Sequence, residues 1–117
     1  MAKNNRESKR LDVELRGNYR IWESEFPFAV ITTVNISHTG ICFKTDHEVM
    51  SGHSVELKII LNKETGPLSL LAKVIWSNPA VETGDFNTGV KIMNVNSDDA
   101  KEFKKFYKTQ LMYPPEG

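Results

Sequence analysis

The feature that most constrains the fold of this 117-residue chain is a period of two in its apolar residues. Leu11, Val13 and Leu15 alternate with polar residues, and each run of this kind predicts a strand with one buried face. Similar apolar or β-branched runs lie at Phe26–Val34, Ile41–Phe43, Val55–Leu61, Leu68–Trp76 and Phe86–Ile92. Turn-forming residues separate them, so the sequence predicts about six short antiparallel strands.

The period changes once, near the end of the chain. Ser97 is followed by two aspartates, which is typical of a helix N-cap and first turn. The apolar residues that follow at helical spacing are Ala100, Phe103, Phe106, Tyr107 and Leu111. Pro114 and Pro115 are expected to end the helix. The predicted fold is therefore mainly β: a six-stranded antiparallel barrel with a C-terminal α-helix packed on its side or end.

Three local predictions follow from the same pattern. Gly17-Asn18 is expected to form a turn or a kink, and the segment Asn62–Pro67 a hairpin connection. Leu68–Trp76 is apolar on nearly both of its faces, which predicts a central strand with Trp76 in the core.

Residues 1–10 lack any apolar periodicity and are predicted to be a flexible arm, followed by the folded unit at 11–113. The formal net charge of the whole chain is zero, but the arm carries a net charge of +3 and the rest −3. A neutral chain has no overall field to attract nucleic acid or an anionic membrane, so neither is expected as a partner.

Composition also indicates the cellular compartment and the functional class of the protein. The single cysteine, Cys42, excludes an internal disulfide framework and favours a reducing compartment. No apolar run is long enough to span a membrane, and no apolar stretch follows the basic N-terminus as in a secretory signal. These features predict a cytoplasmic protein without membrane insertion. No set of acid, base and nucleophile residues stands out, so the chain is not expected to be an enzyme.

Two short polar elements are candidates for ligand binding. Arg6 and Arg10 stand four apart in the arm, and a guanidinium matches a phosphate or the edge of guanine with two parallel hydrogen bonds. In the second element, Asn35 can accept from guanine, Ser37 can donate and accept, and Gly40 lets a ligand approach the backbone. Taken separately, the arginines are more typical of a solvated tail and the second element of an ordinary turn.

Together the two elements resemble the signature of the PilZ domain family, Arg-x-x-x-Arg followed by Asp/Asn-x-Ser-x-x-Gly. Here Arg6-Glu-Ser-Lys-Arg10 is separated by 24 residues from Asn35-Ile-Ser-His-Thr-Gly40. The Gly-Ile-Cys-Phe run at 40–43, the Val-Ile-Trp strand at 74–76 and the Gly89-Val90 pair are also similar to family positions. The resemblance covers essentially the whole chain.

The resemblance implies a bacterial receptor for cyclic di-GMP, with no cofactor and an unknown protein partner. It implies that Arg6 and Arg10 hold guanine edges and phosphates, that Asn35 and Ser37 read a guanine, and that Gly40 leaves room for the ligand. His38 lies inside the same element and is a further candidate, for stacking on a base or touching a phosphate.

Two positions modify this expectation. Asn35 stands where the family also uses aspartate, and a neutral amide predicts weaker binding than a carboxylate. Asn5 precedes Arg6 where a third arginine would add charge, which favours one bound dinucleotide per chain over a stacked pair.

The remaining candidate residues indicate a function less strongly than the two signature elements do. His38, Cys42, His47 and His53 are not spaced as metal ligands, so no metal site is expected. Trp22, Phe26 and Phe28 are expected to pack across a barrel mouth or to form a partner surface. The helix stripe is expected to be buried and can also pair chains, which leaves monomer and dimer open.

The functional alternatives are a PilZ-like interaction module without a nucleotide and a small barrel that binds single-stranded nucleic acid.

Overall fold

The computed structural model describes residues 10–23, 25, 27–62 and 66–112. Within these residues the chain forms seven strand segments and one helix. In chain order they are β1 (Leu11–Asp12), β2 (Arg16–Ile21), β3 (Ala29–Ile36), β4 (Gly40–Thr45), β5 (Ser54–Ile60), β6 (Pro67–Pro79), β7 (Phe86–Val95) and α1 (Ser97–Met112). Apart from Arg10, the predicted arm lies outside the described residues, as do Phe26 and Pro114-Pro115.

The strands close into one antiparallel barrel. The sheet order is β1-β3-β2-β5-β6-β7-β4, and β4 pairs back onto β3, so the closed sheet has no open edge. β1 and β2 both lie along β3, at its Asn35–Ile36 end and its Ala29–Thr32 end, and so form two parts of one barrel strand. The predicted six-stranded barrel with a C-terminal helix is confirmed.

A threonine side chain bridges the break between β1 and β2. The Thr33 hydroxyl donates to the carbonyl of Val13 at 2.6 Å and accepts from the amide of Leu15 at 2.7 Å. It thereby replaces the ladder hydrogen bonds that the interrupted strand lacks. The sequence predicts a turn or kink at Gly17-Asn18, and this is wrong, because both residues lie inside β2 and pair with β3 and β5. Gly17 is required there by packing, since an added Cβ would overlap the backbone carbonyl oxygen of Lys58.

The core fills the barrel and extends to the helix. Its largest fully buried side chain is Phe43, whose ring lies 5.4 Å from that of Tyr19. Phe103 and Tyr107 of α1 are buried against the barrel, and Phe106 packs partly on it. Leu111, the last member of the predicted stripe, is 36% exposed, so burial of the stripe stops short of its end.

The N-cap of the helix lies one residue earlier in the chain than the sequence suggests. Asn96, and not Ser97, is the N-cap: its side-chain oxygen accepts from the amide of Asp99 at 2.8 Å. The carboxylate of Asp99 accepts in return from the Asn96 side chain and also from the amide of Ser69 in β6, both at 3.1 Å. The cap therefore also joins the start of α1 to the barrel wall.

A chain of three hydroxyl groups lies inside the barrel, formed by Thr45, Ser77 and Thr88. Thr45 donates to the carbonyl of His47 at 2.7 Å, so its oxygen is left to accept from Thr88 at 3.1 Å. Thr88 in turn accepts from Ser77 at 2.9 Å, and Ser77 accepts from the amide of Val49 at 3.1 Å. The bonds therefore run in a single direction from Val49 to His47, and every hydroxyl donates once and accepts once.

Replacing Thr88 by valine is expected to lower the free energy of unfolding by about 1–3 kcal/mol, because it leaves the Ser77 donor and the Thr45 acceptor unsatisfied inside the barrel. Urea unfolding measured by circular dichroism checks this. Thr32→Val, at a half-buried position of β3, is the matched control and is expected to change stability much less. Equal losses in the two variants would contradict the hydroxyl chain.

Candidate functional site

The signature turn, Asn35–Gly40, connects the end of β3 to the start of β4. Its two ends are held by the inward-facing pair Ile36 and Ile41. Across the turn, the amide of Ser37 donates to the carbonyl of Gly40 at 2.9 Å. The core thus anchors both ends of the turn that carries the polar side chains.

Ser37 helps to build this turn. Its hydroxyl oxygen accepts from the amides of Gly40 at 3.1 Å and Thr39 at 3.3 Å. The nearest acceptors for its proton, the Gly40 carbonyl and the Thr39 hydroxyl, lie at 3.4 and 3.5 Å, beyond the usual hydroxyl hydrogen-bond range of about 2.5–3.0 Å. The Ser37 proton is therefore available to another acceptor.

The packing of the barrel also requires a glycine at position 40. A Cβ at this position would lie 2.7 Å from the backbone oxygen of Val90 in β7. The close approach of β4 and β7 therefore requires glycine here whether or not a ligand is bound.

Arg10, the first residue that the structure describes, lies beside the signature turn. β1 pairs Asp12 with Asn35, which places the residues just before β1 beside the turn. The Arg10 guanidinium donates to the side-chain oxygen of Asn35 at 3.2 Å, and Arg10 is exposed. Two members of the two sequence elements are thus in contact, while Arg6 lies outside the described residues.

A cavity of about 220 Å³ opens beside this contact. Its charged lining residues are Arg10 and Lys91, and the others are Ser37, Thr39, Gly40, Ile41, Ile75, Trp76, Gly89 and Val90. We call it the site cavity. Two cations and no carboxylate among the described lining residues make it suitable for an anion with an apolar or aromatic part.

One row of paired residues on the outside of the barrel runs from the signature turn to the site cavity, and its last two members, Gly89 and Trp76, line the cavity. Asn35 pairs with Cys42, Cys42 with Gly89, and Gly89 with Trp76. Cys42 is buried in this row, and its burial raises the pKa of the thiol, an effect that the Arg10 guanidinium partly offsets. A neutral, buried thiol in this position packs as a small apolar residue.

Trp76 is the site residue that sequence reasoning misplaced. The prediction that it lies in the core is wrong: a register shift between Val74 and Trp76 sends both Ile75 and Trp76 to the outside of the barrel. The indole ring covers Gly89, where an added Cβ would overlap it. An alternating pattern cannot reveal such a bulge, although a glycine opposite a tryptophan is the signal that was available.

His38 points to a different part of the molecule. It is exposed, does not line the site cavity, and its ring lies 6.1 Å from that of Tyr107 on α1. The other aromatic candidates are also outside the cavity. Phe28 lies on the outer wall under the cations of Arg20 and Lys58, at 4.5 and 4.8 Å, and Trp22 is 46% exposed.

Two further findings concern metal ligands and membrane-spanning helices among the described residues. No three histidine, cysteine, aspartate or glutamate side chains in these ranges are grouped so that they could hold a metal ion. In the same ranges, no helix has the length and apolar character needed to cross a bilayer.

Comparison with protein families decides the relationship. The family model of the PilZ domain matches residues 4–108, which is most of the chain and includes both sequence elements. The chain belongs to the PilZ domain family. A comparison with curated protein sequences finds no match for this PilZ chain.

Solved PilZ structures share the fold. The inhibitor of motility MotI/DgrA of Bacillus subtilis is 18% identical with a TM-score of 0.76, over 97% of this chain and 55% of that one. A tetrameric PilZ protein of Xanthomonas campestris, assembled through a helical bundle, is 10% identical with a TM-score of 0.69, over 92% and 89%. MrkH, a transcription regulatory factor dependent on cyclic di-GMP, is 11% identical with a TM-score of 0.66, over 93% and 52%.

The PilZ chain spans about half the length of MotI and of MrkH. At such identities the similarity to these structures is one of fold, and the binding properties have to be argued from the residues of this chain.

Proposed function

We propose that this PilZ domain is a receptor for cyclic di-GMP. One observation carries the proposal: Arg10 contacts Asn35 at the rim of a cavity that Ser37 and Gly40 also line. These residues come from the two separate sequence elements, and their convergence is the arrangement that a shared ligand requires. The family match and the cyclic di-GMP dependence of the structural neighbour MrkH support the choice of ligand.

The described residues supply complementary groups for such a ligand. Arg10 can hold a phosphate or a guanine edge through two parallel hydrogen bonds. Asn35 offers an acceptor for guanine N–H groups, and the Ser37 proton is available to a ligand acceptor. A base can stack on the Trp76 ring, which itself covers Gly89.

The site cavity of about 220 Å³ is smaller than the roughly 300–1,000 Å³ of typical ligand pockets. We propose that residues 1–10 complete the site by closing over the bound dinucleotide, with Arg6 as the second guanidinium. Ordering such a segment has an entropic cost that offsets part of the contact energy. The ligand then shifts the arm between two conformations by its differential affinity for them.

This change in surface is the proposed output. A domain that binds and is not catalytic acts by presenting a different surface to a partner protein. The structural neighbour MotI is described as an inhibitor of motility, and an output of this kind is compatible with action through a partner.

Isothermal titration calorimetry with cyclic di-GMP tests the proposal, with GTP and a single-stranded oligonucleotide as controls. Saturable heat with cyclic di-GMP alone is expected. Absence of heat with cyclic di-GMP would favour the alternative, an interaction module that binds no nucleotide. Heat with the oligonucleotide that disappears at high salt would instead favour nucleic-acid binding.

Replacing Asn35 by aspartate is expected to tighten binding about fivefold, because an ionised acceptor makes stronger hydrogen bonds to guanine N–H groups than a neutral amide does. Calorimetry of the variant measures the change. Asn18→Asp adds the same charge on β2, at a position that does not line the site cavity, and should leave the affinity unchanged. Equal effects of the two substitutions would mean that charge alone, and not position 35, is responsible.

A further inference from the structure

Two lysines stand opposite each other on the outer wall, next to the signature turn. Gly40 pairs with Lys91 in β7, and Lys91 pairs with Lys73 in β6. This row runs parallel to the row that carries Trp76 and begins at the last residue of the turn. The lysines are 18 residues apart in the chain, so only the strand register brings them together.

No ion pair with a described residue offsets this charge pair. Both lysines are exposed, and neither is in an ion pair with a described residue; the ion pairs found there are Arg20–Glu56 and His47–Asp46. Like charges directly opposite on neighbouring strands destabilise a sheet. A pair that weakens the free fold at the edge of a cavity is explained if an anion occupies it in the bound state.

The charges around the site cavity are also arranged unevenly. Asp12 pairs with Asn35 at one end of the outer row, so a carboxylate lies on that side. Lys91 lines the cavity on the opposite side, and Lys73 is its neighbour across the strands. The Arg10 guanidinium shares its side of the cavity with the Asp12 carboxylate, whereas the two lysines stand opposite each other. An anionic group is therefore favoured on the side of the lysines.

We propose that Lys91, reinforced by Lys73, binds a phosphate of the dinucleotide. This inference rests on the proposed function and adds the position of one ligand group. The guanine edge lies toward Arg10, Asn35 and Ser37, and the phosphate lies toward β6 and β7, across the ring of Trp76. An ammonium on a four-carbon stem suits this role because it acts as a point charge and requires no fixed geometry.

The experiment compares Lys91→Gln and Lys73→Gln with Lys104→Gln, which removes the same charge from the exposed face of α1. In calorimetry with cyclic di-GMP, each of the first two variants is expected to bind about fivefold more weakly, as for an exposed charge contact. The loss should shrink at high salt, and Lys91→Arg should retain binding. Lys104→Gln should bind like the parent.

Two further readouts separate a phosphate contact from a structural role. In ³¹P NMR of the bound ligand, Lys91→Gln should move one phosphate resonance and leave the other in place. The unfolding midpoint of the ligand-free variants should be equal to or above that of the parent, because a like-charge pair has been removed. A lysine with a structural role would instead lower this midpoint.

The outcomes are distinguishable from failure of the proposed function. If the parent binds cyclic di-GMP and both lysine variants bind as tightly, the phosphate assignment is wrong and the receptor function stands. If both lysine variants lose affinity only as much as Lys104→Gln does, the assignment is also wrong. If the parent does not bind the dinucleotide, the proposed function and this inference fail together.

Discussion

Replacing Arg10 by alanine is expected to weaken cyclic di-GMP binding by about 10- to 100-fold, because charge-assisted hydrogen bonds to a ligand contribute about 1.5–3 kcal/mol each. The unfolding free energy should change by less than about 0.5 kcal/mol, since Arg10 is exposed and its hydrogen bond in the free protein is to the half-buried Asn35. Calorimetry and urea unfolding of the same variant measure the two quantities. Loss of binding without loss of stability identifies a ligand-contacting residue.

The matched control is Arg16→Ala. Arg16 is an exposed arginine at the start of β2 and does not line the site cavity, so its loss should leave binding nearly unchanged. Arg6→Ala is expected to behave like Arg10→Ala, because the two arginines form one sequence element. If Arg10→Ala and Arg6→Ala both bind as tightly as the parent, the site assignment is wrong even though the fold is right.

Substitution of the arginines is informative because Ser37 and Gly40 also have structural roles that do not depend on a ligand. Ser37 closes the turn with its own hydroxyl, and Gly40 is required by the approach of Val90. A chain that kept the barrel and lost the ligand would be expected to retain both residues. Arg10, exposed and bonded to Asn35 alone among the described residues, has no comparable structural role.

The sequence was sufficient for the barrel because the inward and outward faces of a strand alternate with a fixed period. From Leu68 to Val74 of β6, every second residue is buried, and the same rule holds in β5. The apolar stripe of α1 was equally readable, since Phe103 and Tyr107 fall on one helical face. Periodicity is a local property, and the elements that it specifies were predicted correctly. The local turn residues Gly17-Asn18 were misleading, because they lie inside β2, a strand that the sequence did not predict.

The errors at the candidate site arose where the register changes. Alternation assigns a residue to a face only while pairing is continuous, and the shift before Trp76 reverses the assignment for the rest of β6. Consequently Trp76 lies outside and Ser77 faces the interior hydroxyl chain. The Lys73–Lys91 pair was missed for a related reason, because it depends on which residues of β6 and β7 stand opposite each other. Such long-range register is set by the whole barrel and not by either strand alone.

The barrel itself depends most on its central aromatic residue, Phe43. Replacing Phe43 by alanine is expected to lower the free energy of unfolding by about 3–5 kcal/mol, because the change removes a fully buried ring and leaves a cavity beside Tyr19. Domains of this size are stable by about 5–15 kcal/mol, so the variant would lose a large part of its total stability. Urea unfolding followed by circular dichroism gives the midpoint and the slope from which the loss is calculated.

Phe28→Ala is the matched control, since it deletes the same ring from the outer wall, where Phe28 contacts the cations of Arg20 and Lys58. Each exposed cation–π contact contributes about 0.5–1 kcal/mol, so this variant should lose about 1–2 kcal/mol. Phe43→Leu keeps most of the buried volume and should fall between the parent and Phe43→Ala, which provides a measurable variant if the alanine protein does not fold. Similar losses for Phe43→Ala and Phe28→Ala would show that the interior of the barrel adapts to the missing ring, and that the wall beneath the site cavity does not depend on a tightly packed core.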